Sequence, residues 1–156
     1  MLTPADRTHP PASDDTREKK ESKMELKFFM PMDPPTITQQ EHKVTVMNGR
    51  PYFYEPQELK AAKQKLLSSL IPNRPQAPLD GPIELVVTWC FPTDREELNG
   101  QFKITKPDTD NLDKMLKDCM TSAGFWKDDA QVCREIIEKF WTHRNMSGIF
   151  VRVTQL

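Results

Sequence analysis

The chain has 156 residues, of which 37% are hydrophobic and 29% charged, and its formal net charge is −1. This length usually corresponds to one domain, and no apolar run approaches the roughly 18 residues that span a bilayer. The polar, proline-bearing N-terminus lacks the apolar segment of a signal peptide, so we expect a cytoplasmic protein without a membrane partner.

Residues 1 to 23 show no periodic apolar pattern and contain five acidic and five basic side chains. Such a segment cannot bury enough apolar surface to offset the entropy lost on ordering. We therefore predict a disordered tail over residues 1–23, followed by one folded domain over residues 24–156.

The first half of this domain contains strand and helix patterns separated by prolines. Met24–Met32 reads as a strand, and Lys43–Met47 and Pro51–Tyr54 flank the Asn48-Gly49 dipeptide that favours a tight hairpin. Pro56–Leu70 has apolar residues on one helical face. Three lysines lie largely off that face and form either a solvated surface or a phosphate-contacting stripe: Lys60, Lys63 and Lys65.

The second half opens with Pro82–Pro92, an apolar strand that should be central in a sheet. Thr93–Lys106 is polar and reads as a mobile loop. Val132–Trp141 and Gly148–Val153 read as strands joined by a turn, which predicts a second hairpin. Together these patterns predict an α+β fold, a single small domain with a mixed sheet and two main helices.

The second predicted helix lies within Ile104–Ala130, with Asp110 as its N-cap and Gly124 just past its end. Its apolar residues recur at helical spacing and form one buried stripe: Leu112, Met115, Leu116, Cys119, Met120 and Ala123.

Acidic side chains surround this helix. Asp108 and Asp110 precede it, Lys114 lies one turn after Asp110, and Asp128 and Asp129 follow its end. Mg²⁺ prefers carboxylate oxygens and keeps several waters. If the chain folds back after the helix, these side chains can form a metal site for phosphodiester hydrolysis. Spacing alone leaves open that they are only a helix cap, a surface turn and an i,i+4 ion pair.

Other metal and phosphate motifs do not fit. A calcium loop starting at Asp108 would need glycine and glutamate where Asp113 and Cys119 stand. The three cysteines lack the spacing of a zinc site or a disulfide framework, so we expect buried thiols. The chain also contains no glycine-rich phosphate-binding motif.

The run from Lys106 to Asp129 resembles the signature of the RusA family of Holliday junction resolvases. That signature is a D-x-D-N sequence opening a helix, a lysine four residues after the second aspartate, an aspartate one turn later, A-G-x-W and an acidic pair. Each element occurs here: Asp108, Asp110, Asn111, Lys114, Asp118, Ala123, Gly124, Trp126, Asp128 and Asp129.

The resemblance implies a RusA-like homodimer that cuts four-way DNA junctions in paired, Mg²⁺-dependent incisions. It implies that Asp108, Asp110 and Asp129 bind the metal and that Lys114 is a further catalytic residue near the scissile phosphate. Trp126 is expected to pack the turn. We expect six cations to contact backbone phosphates: Arg74, Arg95, Lys103, Lys106, Lys117 and Lys127.

Three other functions are alternatives to junction resolution. One is a nuclease that acts mainly on other branched DNA, and another is a junction-binding protein without turnover. The third is a protein that uses a metal only for stability. A phage or bacterial origin would fit the small size and the resemblance.

Overall fold

The computed structural model describes residues 22–38 and 43–156. Nearly all of the predicted tail, residues 1–21, lies outside the described residues, so its disorder stays a prediction. In chain order the elements are β1 (Glu25–Pro31), β2 (Lys43–Met47), β3 (Arg50–Tyr54), α1 (Gln57–Leu70), β4 (Ile83–Thr93), α2 (Thr109–Ala123), β5 (Val132–His143) and β6 (Gly148–Gln155). The predicted α+β class with a mixed sheet and two main helices is confirmed.

Four strands form the main sheet in the order β1-β6-β4-β5. β6 pairs antiparallel with both β1 and β4, whereas β5 runs parallel to β4. The central position predicted for β4 is confirmed, but the predicted second hairpin is wrong because β4 lies between β5 and β6. The turn residues within 144–148 reverse the direction of the chain between β5 and β6. They do not specify which strand of the sheet each of the two pairs with.

One hydrophobic cluster unites the sheet with both helices. Along β4, Ile83, Leu85, Val87 and Trp89 alternate with half-buried residues and are fully buried. They pack in the same cluster as the apolar stripe of α2, including Leu112. Complete burial of a leucine side chain stabilises a fold by about 2 kcal/mol, so this stripe fixes the rotation of α2. The charged face of α2 consequently points away from the core.

β2 and β3 form the predicted hairpin as a separate two-stranded sheet. Asn48 and Gly49 have φ values of 51° and 73°. A type I′ turn needs positive φ at both central residues, which explains the preference for this dipeptide. All ten strand residues of the hairpin are exposed.

The segment from Thr93 to Lys106 is more structured than the predicted mobile loop. A 3₁₀ turn occupies Glu96–Leu98, and Phe102 forms a bridge to Phe140 of β5. The polar composition of this segment concealed the pairing of its last residues with β5. Among residues 22–38 and 43–156, no helix is long and apolar enough to cross a membrane.

The predicted burial of the three cysteines is only partly met. Cys119 is buried and Cys90 is half-buried, but Cys133 is exposed. Burial raises the pKa of the Cys119 thiol to about 11, so that side chain remains an uncharged thiol at neutral pH. Cys133 lies near the start of β5, where the strand forms an exposed edge of the sheet.

Candidate active site

A cleft of about 510 Å³ opens on the charged face of α2. It is lined by side chains from α2 and from the turn that follows it: Lys114, Asp118, Thr121, Ser122, Lys127, Asp128 and Asp129. The Lys114 Nζ lies 3.0 Å from Asp118 Oδ1 and 3.4 Å from Asp129 Oδ2. The chain therefore folds back after α2, as the sequence hypothesis required, and brings Asp129 to Lys114.

Lys114 is held as a cation in this cleft. Hydrogen bonding to Asp118 and the charge of Asp118, followed by the influence of Asp129, raise the pKa of the Lys114 ammonium. The side chain remains 57% exposed, so its charge is available to a ligand that enters the cleft. A charged ammonium group between two carboxylates can also donate to a phosphate oxygen.

The turn after α2 places Asp129. Gly124 ends the helix with φ 92°, and Trp126 is buried with its Nε1 donating to Thr121 Oγ1 at 2.8 Å. The packing role predicted for Trp126 is thereby confirmed. Beyond the turn, Asp128 caps a short 3₁₀ helix by accepting from the Ala130 N–H at 2.9 Å.

Gln131 completes this turn, and sequence reasoning did not single it out. Its Oε1 accepts from the backbone N–H of Lys127 and Asp128 at 3.0 and 3.2 Å. Its Nε2 donates to the Leu79 and Gly81 carbonyls at 2.9 and 3.1 Å. The sequence signal for this role is the D-x-x-Q spacing of a capping box, from Asp128 to Gln131. Sequence reasoning considered Asp128 only as part of an acidic pair.

α2 begins at Thr109, so Asp108 occupies the N-cap position that the sequence had assigned to Asp110. Both aspartates are good N-cap residues, and spacing alone cannot choose between them. The Asp108 carbonyl accepts from the Leu112 N–H at 3.1 Å. Within the described part of the chain, the Asp108 side chain makes no capping hydrogen bond. Asp110 occupies the first turn of α2.

The predicted metal ligands are not gathered into one cluster. Among residues 22–38 and 43–156, no three acidic, histidine or cysteine side chains lie close enough together to hold a metal ion. Asp129 contacts Lys114, and Asp110 precedes Lys114 by one helical turn. Mg²⁺ is commonly held by one or two carboxylates together with waters and substrate phosphate. Asp108 and Asp110 are exposed and Asp129 is half-buried, and their carboxylate oxygens are hard donors that fit that requirement.

Comparison with known proteins identifies the family. The sequence profile described as Endodeoxyribonuclease RusA matches residues 31–154. The chain belongs to the RusA endodeoxyribonuclease family. It is therefore an endodeoxyribonuclease, an enzyme that cuts DNA at internal phosphodiester bonds.

Two individual proteins are similar to this chain. A protein named crossover junction endodeoxyribonuclease rusA, from Lactococcus phage r1t, is 29% identical over 111 residues. That alignment covers 70% of this chain and 83% of the phage protein. The uncharacterized protein YqaN of Bacillus subtilis (strain 168) is 25% identical over 138 residues, which cover 81% of this chain and 95% of YqaN.

A second group of charged side chains lies where α2 meets β5 in this RusA-family chain. Lys117 Nζ contacts both Glu135 of β5 and Asp113, the latter at 3.4 Å. Burial, followed by hydrogen bonding to Glu135, raises the pKa of Asp113 to about 7. Burial would raise the pKa of Glu135, but hydrogen bonds from Asp113 and Lys117 outweigh it and lower that pKa. The pKa values of the two carboxyl groups are therefore shifted in opposite directions beside a lysine.

Two of the six cations expected to contact DNA, Lys103 and Lys117, instead bind groups within the protein. Lys103 is only 6% exposed, and its ammonium group donates to the Thr105 and Lys106 carbonyls. Lys117 contacts Asp113 and Glu135. The sequence around these two lysines did not reveal the partners of their ammonium groups. The other four cations are exposed on this RusA-family domain: Arg74, Arg95, Lys106 and Lys127.

Proposed function

We propose that this chain resolves four-way DNA junctions as a Mg²⁺-dependent homodimeric endonuclease. The observation that carries the proposal is the RusA family match over residues 31–154. The name of the phage relative, a crossover junction endodeoxyribonuclease, supports the junction as substrate. The cleft around Lys114 supports the position of the chemistry, because it joins a cation to acidic side chains in an exposed groove.

In this proposal Asp108, Asp110 and Asp129 hold the metal. Bound Mg²⁺ would supply charge neutralisation at the scissile phosphate and lower the pKa of a coordinated water. Lys114 offsets negative charge on the phosphoryl or leaving oxygen. Asp118 orients Lys114 through their 3.0 Å contact and keeps it protonated. Asp129, which contacts Lys114 at 3.4 Å, would also hold the metal.

Recognition of the junction would depend on backbone phosphates, because a branched DNA is distinguished by shape. The four exposed cations Arg74, Arg95, Lys106 and Lys127 are the proposed contacts. Lys127 also lines the cleft with Asp129, so a phosphate bound there would lie beside one of the proposed metal ligands. Two copies of the chain would place two such clefts on opposing strands and so give paired incisions.

The test is cleavage of a synthetic four-way junction and of a matched linear duplex, each with Mg²⁺ and with a chelator. We expect symmetric nicks in the junction alone, and only when Mg²⁺ is present. Sedimentation of the free protein tests the dimer. Equal cutting of the linear duplex would contradict junction selectivity, and unchanged cutting in chelator would contradict the metal requirement.

A nuclease acting mainly on flaps or forks is the second candidate function. The family description names an endodeoxyribonuclease without naming a particular DNA structure, which favours this broader substrate class. The same assay discriminates the two candidates when flap and fork substrates are added at equal concentration. Faster cutting of either substrate than of the four-way junction would replace the first proposal with the second. Junction binding without cutting would instead indicate a non-catalytic binding protein.

A further inference from the structure

Two lysine side chains hold the segment that leads into α2. Residues 104–107, called the approach segment here, connect the Phe102 bridge to Asp108. Lys139 Nζ donates to the Thr105 carbonyl at 2.9 Å and to the Pro107 carbonyl at 2.7 Å. Lys103 Nζ donates to the Thr105 and Lys106 carbonyls. Three successive carbonyls, ending next to Asp108, are thus bound by two ammonium groups.

The position of Lys103 is unusual for a lysine. Its side chain is 6% exposed, and its Nζ lies 4.6 Å from the ring centroid of Trp141 and 5.1 Å from that of Phe91. A buried lysine is costly unless its ammonium group is fully hydrogen-bonded. The carbonyls of the approach segment, together with Thr105 Oγ1, provide these hydrogen bonds.

β5 is the rigid support for this arrangement. Lys103 N–H donates to the Lys139 carbonyl at 2.9 Å, and Trp141 N–H donates to the Gln101 carbonyl at 2.9 Å. Side chains two apart on a strand share a face, so Glu135 and Lys139 lie on the same face of β5. Glu135 contacts Lys117 of α2, and Lys139 holds the segment that precedes α2. The same strand face therefore anchors the helix at two places.

We propose that Lys103 and Lys139 are positioning residues that fix Asp108 for catalysis by binding the carbonyls of the approach segment. This inference rests on the proposed function, in which Asp108 is a metal ligand. Neither lysine contacts DNA in this proposal. A displacement of about 1 Å in a catalytic group can lower the rate about 100-fold. Loss of the Lys139 ammonium group, which holds the carbonyl next to Asp108, should therefore reduce turnover more than DNA binding.

The test compares Lys139→Met and Lys103→Met with the wild-type chain. Methionine retains an unbranched side chain and removes the ammonium group, and Lys139→Arg restores a cation that can donate to two carbonyls. Lys27→Met is the matched control, because Lys27 lies on β1 at the opposite edge of the sheet, where it pairs with Glu25. For each variant we would measure kcat on the four-way junction, junction affinity in chelator and the melting temperature.

Hydrogen exchange provides a readout that does not depend on activity. In Lys139→Met, amides of residues 104–112 should exchange faster, including the Leu112 N–H that is bound to the Asp108 carbonyl. Amides of β4 and β6 should keep their wild-type protection. We expect kcat to fall about 100-fold, with junction affinity near the wild-type value and partial recovery in Lys139→Arg.

Several results would overturn the inference. A Lys139→Met variant with wild-type kcat and wild-type exchange would show that Lys139 does not position Asp108. Faster exchange throughout the sheet, with a parallel fall in melting temperature, would show a general structural role instead. Loss of junction affinity without a change in kcat would identify a DNA contact. If the wild-type chain does not cut junctions, the proposed function fails, while the exchange measurement still tests the carbonyl contacts.

Discussion

Asp113 is buried beside Lys117 and Glu135, and this arrangement predicts an unusual dependence of stability on pH. The pKa of Asp113 is raised from 3.8 to about 7. A carboxyl group whose folded pKa is raised stabilises the fold fully below its unfolded pKa, and this stabilisation is lost as the pH rises through about 7. Replacing Asp113 by asparagine retains the shape of the protonated side chain and removes the titration. Asp113→Asn should therefore gain stability relative to the wild type as the pH rises.

The size of the effect follows from the shift. Three pKa units at 1.36 kcal/mol each give about 4 kcal/mol as an upper bound. Glu135 shifts in the opposite direction and the Lys117 ammonium screens both carboxylates, which reduces the difference to about 2 kcal/mol. For a domain of this size that corresponds to a change of about 4 to 8 °C in melting temperature.

The assay is thermal unfolding of both chains at several pH values from about 5 to about 8, the range that brackets the raised pKa. The melting temperature of Asp113→Asn minus that of the wild type should increase with pH. Glu58→Gln, which neutralises an exposed carboxylate on α1, is the control and should show a constant difference. A constant difference for Asp113→Asn as well would refute the raised pKa of Asp113. Asp113 Oδ1 is buried and has no hydrogen-bond partner among the described residues. With that result, protonation of Asp113 would not account for the burial of this oxygen.

Three further predictions concern the proposed active site. Asp108→Asn should lower junction cleavage by about 100-fold or more, while junction binding in chelator persists or strengthens. The melting temperature should stay near the wild-type value, because the Asp108 side chain makes no capping hydrogen bond with the described part of the chain. Retained cleavage would remove Asp108 from the metal site. Lys114→Met should lower the single-turnover cleavage rate constant by about 100- to 1000-fold. An unchanged rate constant would exclude Lys114 from catalysis and leave it only its contacts with Asp118 and Asp129. Junction affinity should fall about 100-fold between about 50 and about 200 mM salt if four cations neutralise phosphates, and a flat titration would exclude a phosphate-dominated interface.

The elements that were predicted correctly depend on local sequence rules. Asn48-Gly49 specifies its hairpin through backbone sterics, and the apolar stripe of α2 specifies the helix and its buried face. The sequence predicted that Asp129 comes close to Lys114 only if the chain folds back after α2. The condition is met because Trp126 is buried and Gln131 closes the turn, and neither interaction is visible in the spacing of charges.

The errors share a different physical origin, which is that pairing and burial of polar residues depend on distant parts of the chain. β5 and β6 are adjacent in sequence, yet each hydrogen-bonds to β4, because the long apolar β4 offers two edges and the turn between β5 and β6 specifies neither. Lys103 has the local sequence of a surface cation. Its burial depends on the rings of Phe91, on β4, and Trp141, on β5. It also depends on the Thr105 and Lys106 carbonyls, which reach the ammonium group only when the approach segment has turned toward α2. The same nonlocal packing places the Lys103 ammonium group against the carbonyls of the approach segment, as the proposed positioning role requires. A lysine close to a catalytic motif can contact DNA or position a catalytic residue, and its place in the sequence is the same in both cases. Its role therefore has to be assigned from the groups that its ammonium group binds.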